Sequence, residues 1–396
     1  MAELAGYQQF DGRWGPGAQL ALDTIDGKAT KGIPTWICHV MDAAFIEQMT
    51  GRAAGDFARN PDEVYIAFQK LAGACYVDQY IADNVLSMEE HGFGAGTARS
   101  ATTGIEKIVL DGMEIDSPEA VVEHMERFVF PARAREIRRE GLASFDPDDP
   151  ALIRRLIEGE LAVQAKFGLD ILKGPYGGGF QSFPYFSYGA YGYANYFMAY
   201  ALYPEVIERD FAQQADLALL RNRAAARAVI AGRLPRLIRL DHDMADGRGT
   251  LGSVASLRRI WLPHFARSIQ PFLDAGIRLI WHCDGNLMGL LPLLLEAGIG
   301  GFQGFQYEHG MDYERICRMT DRDGEPLLII AGVSVTTTLP WGSRDDVVKQ
   351  MKWLVDNAPP RRLFLGASSS ITPNTNRDNI RIFIEGLRYY REHGRG

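Results

Sequence analysis

The chain has 396 residues, 46% of them hydrophobic and 23% charged, the balance of a globular protein with a sizeable core. Its net charge is −8, from 42 Lys and Arg against 50 Asp and Glu, so it lacks the basic face that contacts with nucleic-acid phosphates require. No apolar run approaches the roughly 20 residues of a membrane span and no basic amphipathic run suggests a membrane-surface helix, so neither nucleic acid nor membrane is an expected partner.

In chain order, residues 1–30 open with MAELAGYQQFDGRWGPG, which has neither a basic start nor an apolar run. They are expected to form an N-terminal extension without a signal peptide. Four scattered cysteines (Cys38, Cys75, Cys283 and Cys317) form no CxxC pair, so a reduced, cytoplasmic setting is expected. IPTWICHV (33–40) reads as a first strand. IEKIVLDGMEIDSPEA (105–120) reads as a hairpin around Asp111-Gly112, followed by a helix started by Ser117-Pro118-Glu119. Residues 151–173 suggest a long helix and then a short strand. PYGGGFQSFPYFSYGAYGYANYFMAYALY (175–203) is rich in Tyr, Phe and Gly, a composition suited to the apolar wall of an organic ligand. Its Gly-rich front, 175–189, is expected to be a lid, with Tyr176 and Phe180 against the substrate; the part from Tyr191 reads as helix.

From about residue 230 the pattern becomes regular. Strand candidates RLIRL (236–240), RLIWH (278–282), GFQGF (301–305), PLLIIAG (326–332) and RLFLG (362–366) alternate with amphipathic stretches at 254–275, 287–298, 313–321, 344–357 and 377–393. Ser343 and Asn376 stand where N-caps belong. This alternation predicts an α/β fold: a single (β/α)8 TIM-type barrel over residues 31–396, with the 90–150 stretch as decoration.

The residues just after the strands are unusually reactive. His39 follows the first, Asp241-His242-Asp243 follows RLIRL, and His282-Cys283-Asp284 follows LIW. Gln306-Tyr307-Glu308-His309 and Ser368-Ser369-Ser370 follow two others. In barrel enzymes the carboxyl ends of the strands form the active-site mouth, so these groups are expected to converge there. Alternation along a strand puts His282 and Asp284 on one face and Cys283 on the other. The plainer reading of this panel is a loop histidine beside a helix-capping Asp. Asp241, Asp243 and Asp246 flank His242 in LDHDMADGRG, where carboxylates could bind a metal or a cationic substrate, or raise one another's proton affinity; a solvated acidic loop is the alternative. Glu308 could complete a metal site with His282 or serve as a salt-bridge partner. The ASSSITP hydroxyls lack a GxSxG context and read as contacts for polar substrate groups.

Taken together and in order, DHDMADGRGTLGSVASLRRIWLP, GIRLIWHCDGN, LLEAGIGGFQGFQYEHGMD, LLIIAGVSV and LFLGASSSITPNTNRDNIRIFIEG resemble the uroporphyrinogen decarboxylase-like superfamily. The likeness runs from IPTWICHV to the C-terminus and implies a (β/α)8 barrel with its site at the carboxyl ends of the strands. Decarboxylases of that superfamily bind tetrapyrrole carboxylates with arginines in a PxWxMRQAGR-like segment. The corresponding stretch here, Pro34-Thr35-Trp36-Ile37-Cys38-His39-Val40-Met41-Asp42-Ala43, lacks both arginines. The other branch comprises methyltransferases that work with corrinoid proteins and hold zinc with an HxC pair and a later Cys. Aligned on Gly285-Asn286, the pair becomes His282 and Asp284, and the later Cys becomes Ser369.

The resemblance therefore implies a methyltransferase that moves a methyl group between a methylated small or aromatic compound, or a corrinoid protein, and an acceptor. The alternative is a decarboxylase acting on a uroporphyrinogen-like or other carboxylated substrate. Asp243, His282 and Asp284 are the expected catalytic residues; His39, Asp241, Tyr176, Phe180, Gln306 and Ser369 are expected to bind substrate. Zinc on His282, Asp284 and Glu308 is the implied metal, a corrinoid protein the implied macromolecular partner, and a homodimer the expected assembly.

Overall fold

The computed structural model describes residues 6–37, 39–80, 107–139, 146–177 and 179–395. Cys38 and residues 90–106 and 140–145 of the expected decoration lie outside the described residues. The strands, in chain order, are β1 (Tyr76–Val77), β2 (Val109–Leu110), β3 (Met113–Glu114), β4 (Leu172–Lys173), β5 (Leu237–Asp241), β6 (Ala245–Asp246), β7 (Gly249–Thr250), β8 (Arg278–His282), β9 (Gly301–Gln303), β10 (Leu328–Val333) and β11 (Leu363–Ala367). β2 and β3 form the hairpin read from the sequence, with Asp111 and Gly112 at φ 49° and 79°, the left-handed pair a tight two-residue turn needs. The Ser117 hydroxyl then accepts the Ala120 amide and starts the helix Pro118–His124.

β11, β10, β9, β8 and β5 make one parallel sheet in that order. β1 and β4 make a second parallel pair, and bridges from Thr35 to Leu365 and from Trp36 to Tyr76 link the two sheets. Eight parallel segments thus follow one another in chain order, each beside the next, except at one seam. Among the described residues no backbone bridge joins β4 to β5, so the closed barrel expected from the sequence is not formed. The reason is local: β4 is two residues long and runs into Gly174-Pro175, and a proline has no amide hydrogen to extend a ladder. Side chains span the gap instead. Gln181 Nε2 donates to the Arg239 carbonyl at 2.8 Å, and the Tyr176 hydroxyl donates to Asp241 at 3.0 Å.

Helices cover the outer face of this array. Outward residues of β8 such as Trp281 pack against Trp261 and Phe265 from the stretch 257–274, and against Phe183. The 28-residue helix Pro204–Ala231 lies alongside, burying small residues (Ala215, Ala218, Ala225, Ala228) that allow close approach. Ser343 and Asp346 form a reciprocal capping box at the start of Arg344–Asn357, and Asn376 caps Arg377–His393. In the extension, helix Pro16–Ile25 buries Ala18, Ala21 and Ile25, and the Tyr7 hydroxyl donates to the Lys173 carbonyl at 2.9 Å. Among the described residues no helix is long and apolar enough to cross a membrane.

Candidate active site

The site follows from two parallel strands and a period of two. Asp241 and His282 are register partners at the ends of β5 and β8. Counting by twos, Arg239, Asp241 and Asp243 share one face, and so do His282 and Asp284. The chain therefore delivers three carboxylates and one imidazole to one place. Asp243, His282 and Asp284 each offer a ligand atom, and these lie within 4.8 Å of one another. The Asp284 amide donates to Asp243 Oδ1 at 2.8 Å, which locks the two loops together. Cys283 turns the other way: its buried sulfur accepts the Met244 amide at 3.3 Å and donates to the Asp284 carbonyl. Cys75, Cys283 and Cys317 are all free and buried.

The charges here are strongly coupled. Burial and then the adjacent Asp284 push the Asp243 carboxyl above the ordinary carboxylate value. Burial also opposes ionisation of Asp241, but His282 and Arg239 outweigh it and hold that carboxyl below the ordinary value. His282 is the mirror case, since burial disfavours its charge while Asp241, Asp284 and Asp243 outweigh burial and raise the imidazole above its usual value. Its Nε2 stands 3.9 Å from Asp241 Oδ1.

Two buried polar atoms in the group, His282 Nδ1 and Asp284 Oδ1, have no hydrogen-bond partner among the described residues. An unpaired buried polar atom costs about 1–3 kcal/mol, so native sites normally supply something to meet it. Gly304, at φ 82°, leaves the space beside His282 Nδ1 open, since a β-carbon there would stand 2.5 Å from that nitrogen. One imidazole and two carboxylates fit a zinc ion; the absence of a thiolate also admits a harder metal.

The remaining sequence candidates divide. Tyr176 binds Asp241, Gln306 Oε1 accepts the Gly285 amide at 2.7 Å, and Ser369 Oγ lies 3.5 Å from Asp284 Oδ2, so all three touch the group or its loop. His39 is 2% exposed and close enough to Arg239 that burial and this charge lower its imidazole to about 4. Phe180, also 2% exposed, is in the hydrophobic core rather than on a pocket wall. Glu308 stands outside the metal-ligand group. The short turn Tyr307–His309 sends Tyr307 inward to the Gly332 carbonyl and leaves Glu308 exposed, bonded to the Ser334 and Thr336 hydroxyls.

From the stretch expected to be a lid, Phe186 and Tyr188 pack on this loop. Phe186 N–H donates to His242 Nε2 at 3.0 Å, so the ring proton is on Nδ1. Tyr188 stacks on that ring at 5.4 Å and donates its hydroxyl to the Asp243 carbonyl at 3.2 Å. Burial lowers His242 to about 4, and the residue anchors the lid as a neutral imidazole. A cavity of about 460 Å³ opens beside the β4–β5 seam, lined by Gln181, Tyr185, Gln214, Arg221, Asp241 and His242 among others.

Sequence reading missed Arg239, Asp78 and Gln303. Gln303 is the register partner of His282 on β9 and is 1% exposed, with Oε1 unpaired. The signal for Arg239 and Gln303 was present, as each is a polar residue in the middle of a buried strand.

No protein-family profile matches the chain, and no curated protein matches it. Solved structures do. A methyltransferase from Methanosarcina mazei superposes with a TM-score of 0.55 at 15% identity, over 94% of this chain and 98% of that one. In fold, the two chains are alike. A B12-independent methionine synthase from Shewanella sp. W3-18-1, in complex with selenomethionine, aligns over 59% of this chain and 65% of its own with 12% identity and a TM-score of 0.39, too weak a likeness to argue from.

Proposed function

We propose that this protein is a methyl-transferring enzyme built on a (β/α)8 barrel opened at one seam. It would move a methyl group between a methylated small or aromatic compound, or a corrinoid protein, and an acceptor. The observation that carries the reading is the Asp243, His282 and Asp284 group, set at the carboxyl ends of parallel strands with two buried atoms awaiting a partner. The fold shared with a methyltransferase supports it.

Asp243, His282 and Asp284 would hold zinc, which when bound supplies Lewis-acid activation of a thiol or similar methyl acceptor. The chain's own residues do the rest. Asp243, buried beside Asp284, has a carboxyl held above the ordinary carboxylate value, and a bound cation would offset the crowding of these two charges. Asp241 keeps a negative charge beside His282. Tyr188 and Phe186, pinned on His242, shield the loop from water, and Ser369 and Gln306 offer hydrogen bonds to a polar substrate group.

Metal analysis of the purified protein tests this. Zinc at one ion per chain is expected, and His282→Ala should weaken zinc binding at least about 100-fold, the usual scale for loss of a ligand or its support. Methyl transfer should stop on chelation and return with zinc. Full methyl-transfer activity in metal-free protein would remove the metal from the reading.

A further inference from the structure

Arg239 is absent from the Asp243, His282 and Asp284 group but bonds Asp241, which neighbours it. It lies in the middle of β5, is 2% exposed, and each arm of its guanidinium has its own acceptor. Nε donates to Asp78 Oδ2 at 2.7 Å, Nη1 to Asp241 Oδ2 at 2.8 Å and Nη2 to Gln79 Oε1 at 3.0 Å. The Tyr176 hydroxyl shares Asp241 Oδ2, and the rings of Tyr176 and Trp36 flank the cation at 4.7 and 5.6 Å. Asp78 is fixed in turn by Trp36 Nε1 at 3.1 Å and by the Gln79 amide at 2.7 Å.

The consequence is geometric. With Oδ2 taken twice, Asp241 presents Oδ1 toward the site, where it stands 3.9 Å from His282 Nε2. Among the described residues His282 Nδ1 has no partner, and Asp241 is the register partner whose carboxylate faces the other ring nitrogen. In metal sites the carboxylate behind a histidine fixes its ring angle and tautomer. We infer that Arg239 is a positioning residue: it clamps Asp241, and through Asp241 it orients the His282 imidazole toward the space shared with Asp243 and Asp284. A lysine could keep the charge but not the clamp, because an ammonium lacks the planar fork that reaches three acceptors at fixed angles.

The inference rests on the metal-holding reading, and the test separates the two. Full-length wild type, Arg239→Lys and Tyr176→Phe are titrated with zinc ion against a chromogenic chelator. The ring ¹⁵N shifts of His282 are recorded on the metal-free proteins, with folding checked by circular dichroism. A clamp predicts that Arg239→Lys binds zinc about 10- to 100-fold more weakly and that Tyr176→Phe loses roughly threefold, with the His282 shifts moved in both. A role as mere counter-charge predicts that Arg239→Lys binds within twofold of wild type with unmoved shifts, and that result overturns the inference. If Arg239→Lys does not fold, Tyr176→Phe decides alone: unchanged affinity and shifts overturn the clamp. If wild type binds no zinc, the metal reading fails by itself. The shifts then decide the clamp, supporting it if they move in the variants and overturning it if they do not.

Discussion

At the scale of single residues, the site is a balance of buried charge, and His39 shows what that balance costs. Its imidazole is lowered to about 4 from an ordinary 6.5, so the folded protein resists a proton that the unfolded chain accepts. The sign follows from proton counting. Above pH 6.5 neither state binds the proton and stability is untouched; between 6.5 and 4 the unfolded state binds it first, and stability falls; below 4 the loss is complete. His39→Leu should therefore flatten the acid side of the stability curve, with wild type losing about 3 kcal/mol more than the variant between pH 7 and pH 4 in urea melts. Parallel curves for the two proteins would show that His39 charges freely in the fold. His242, lowered likewise by burial, adds to the same acid sensitivity.

The residue scale is also where the sequence spoke most clearly. His282 and Asp284 could be paired because alternation along a strand is a rule of the backbone and holds wherever a strand exists, while Asp243 was singled out by the family resemblance. Arg239 obeys the same rule as Asp241, but it lies in the middle of β5, away from the strand ends where reactive residues were sought. Asp78 had no such cue, because β1 is only two residues long and too short to show a period. Glu308 was misplaced for a related reason: a three-residue turn, invisible to any periodicity, decides which of its side chains faces inward.

At the scale of elements, the strands from 236 onward and the helices 344–357 and 377–393 were legible because long runs carry both period and caps. The first strand was legible in place but not in form. Thr35 and Trp36 touch the sheets through isolated bridges, and the contact that admits them is Gly366, where a β-carbon would come within 1.8 Å of the Trp36 carbonyl oxygen. Gly366→Ala should therefore push this segment off β11 and destabilise the protein by about 3 kcal/mol, the upper range for an overpacked core. An unfolding free energy equal to wild type would mean that the segment yields without loss. Since Trp36 also holds Asp78, zinc affinity should fall in the same variant.

At the scale of the whole molecule, the seam between β4 and β5 sets the mechanics. Among the described residues β5 is bonded to a strand on one flank only, while β10 is bonded on both. The β4 side is better secured, since the Lys173 amide donates to Gln164 Oε1 at 2.8 Å. Hydrogen exchange followed by mass spectrometry should show residues 237–240 exchanging faster than 328–333, in keeping with local opening where backbone bonds are fewest. Equal protection in the two segments would mean that the ring closes in solution. The seam was not legible in the sequence, since it depends on how far β4 extends before Pro175, a question of two residues.

A split ring behaves unlike a hoop. Where other neighbouring strands are stitched by backbone amides, this junction is fastened by side chains: Gln181, Tyr176 and the Arg239 fork that reaches from β5 to Asp78. A fastening made of side chains, unlike one made of backbone, can be cut one substitution at a time.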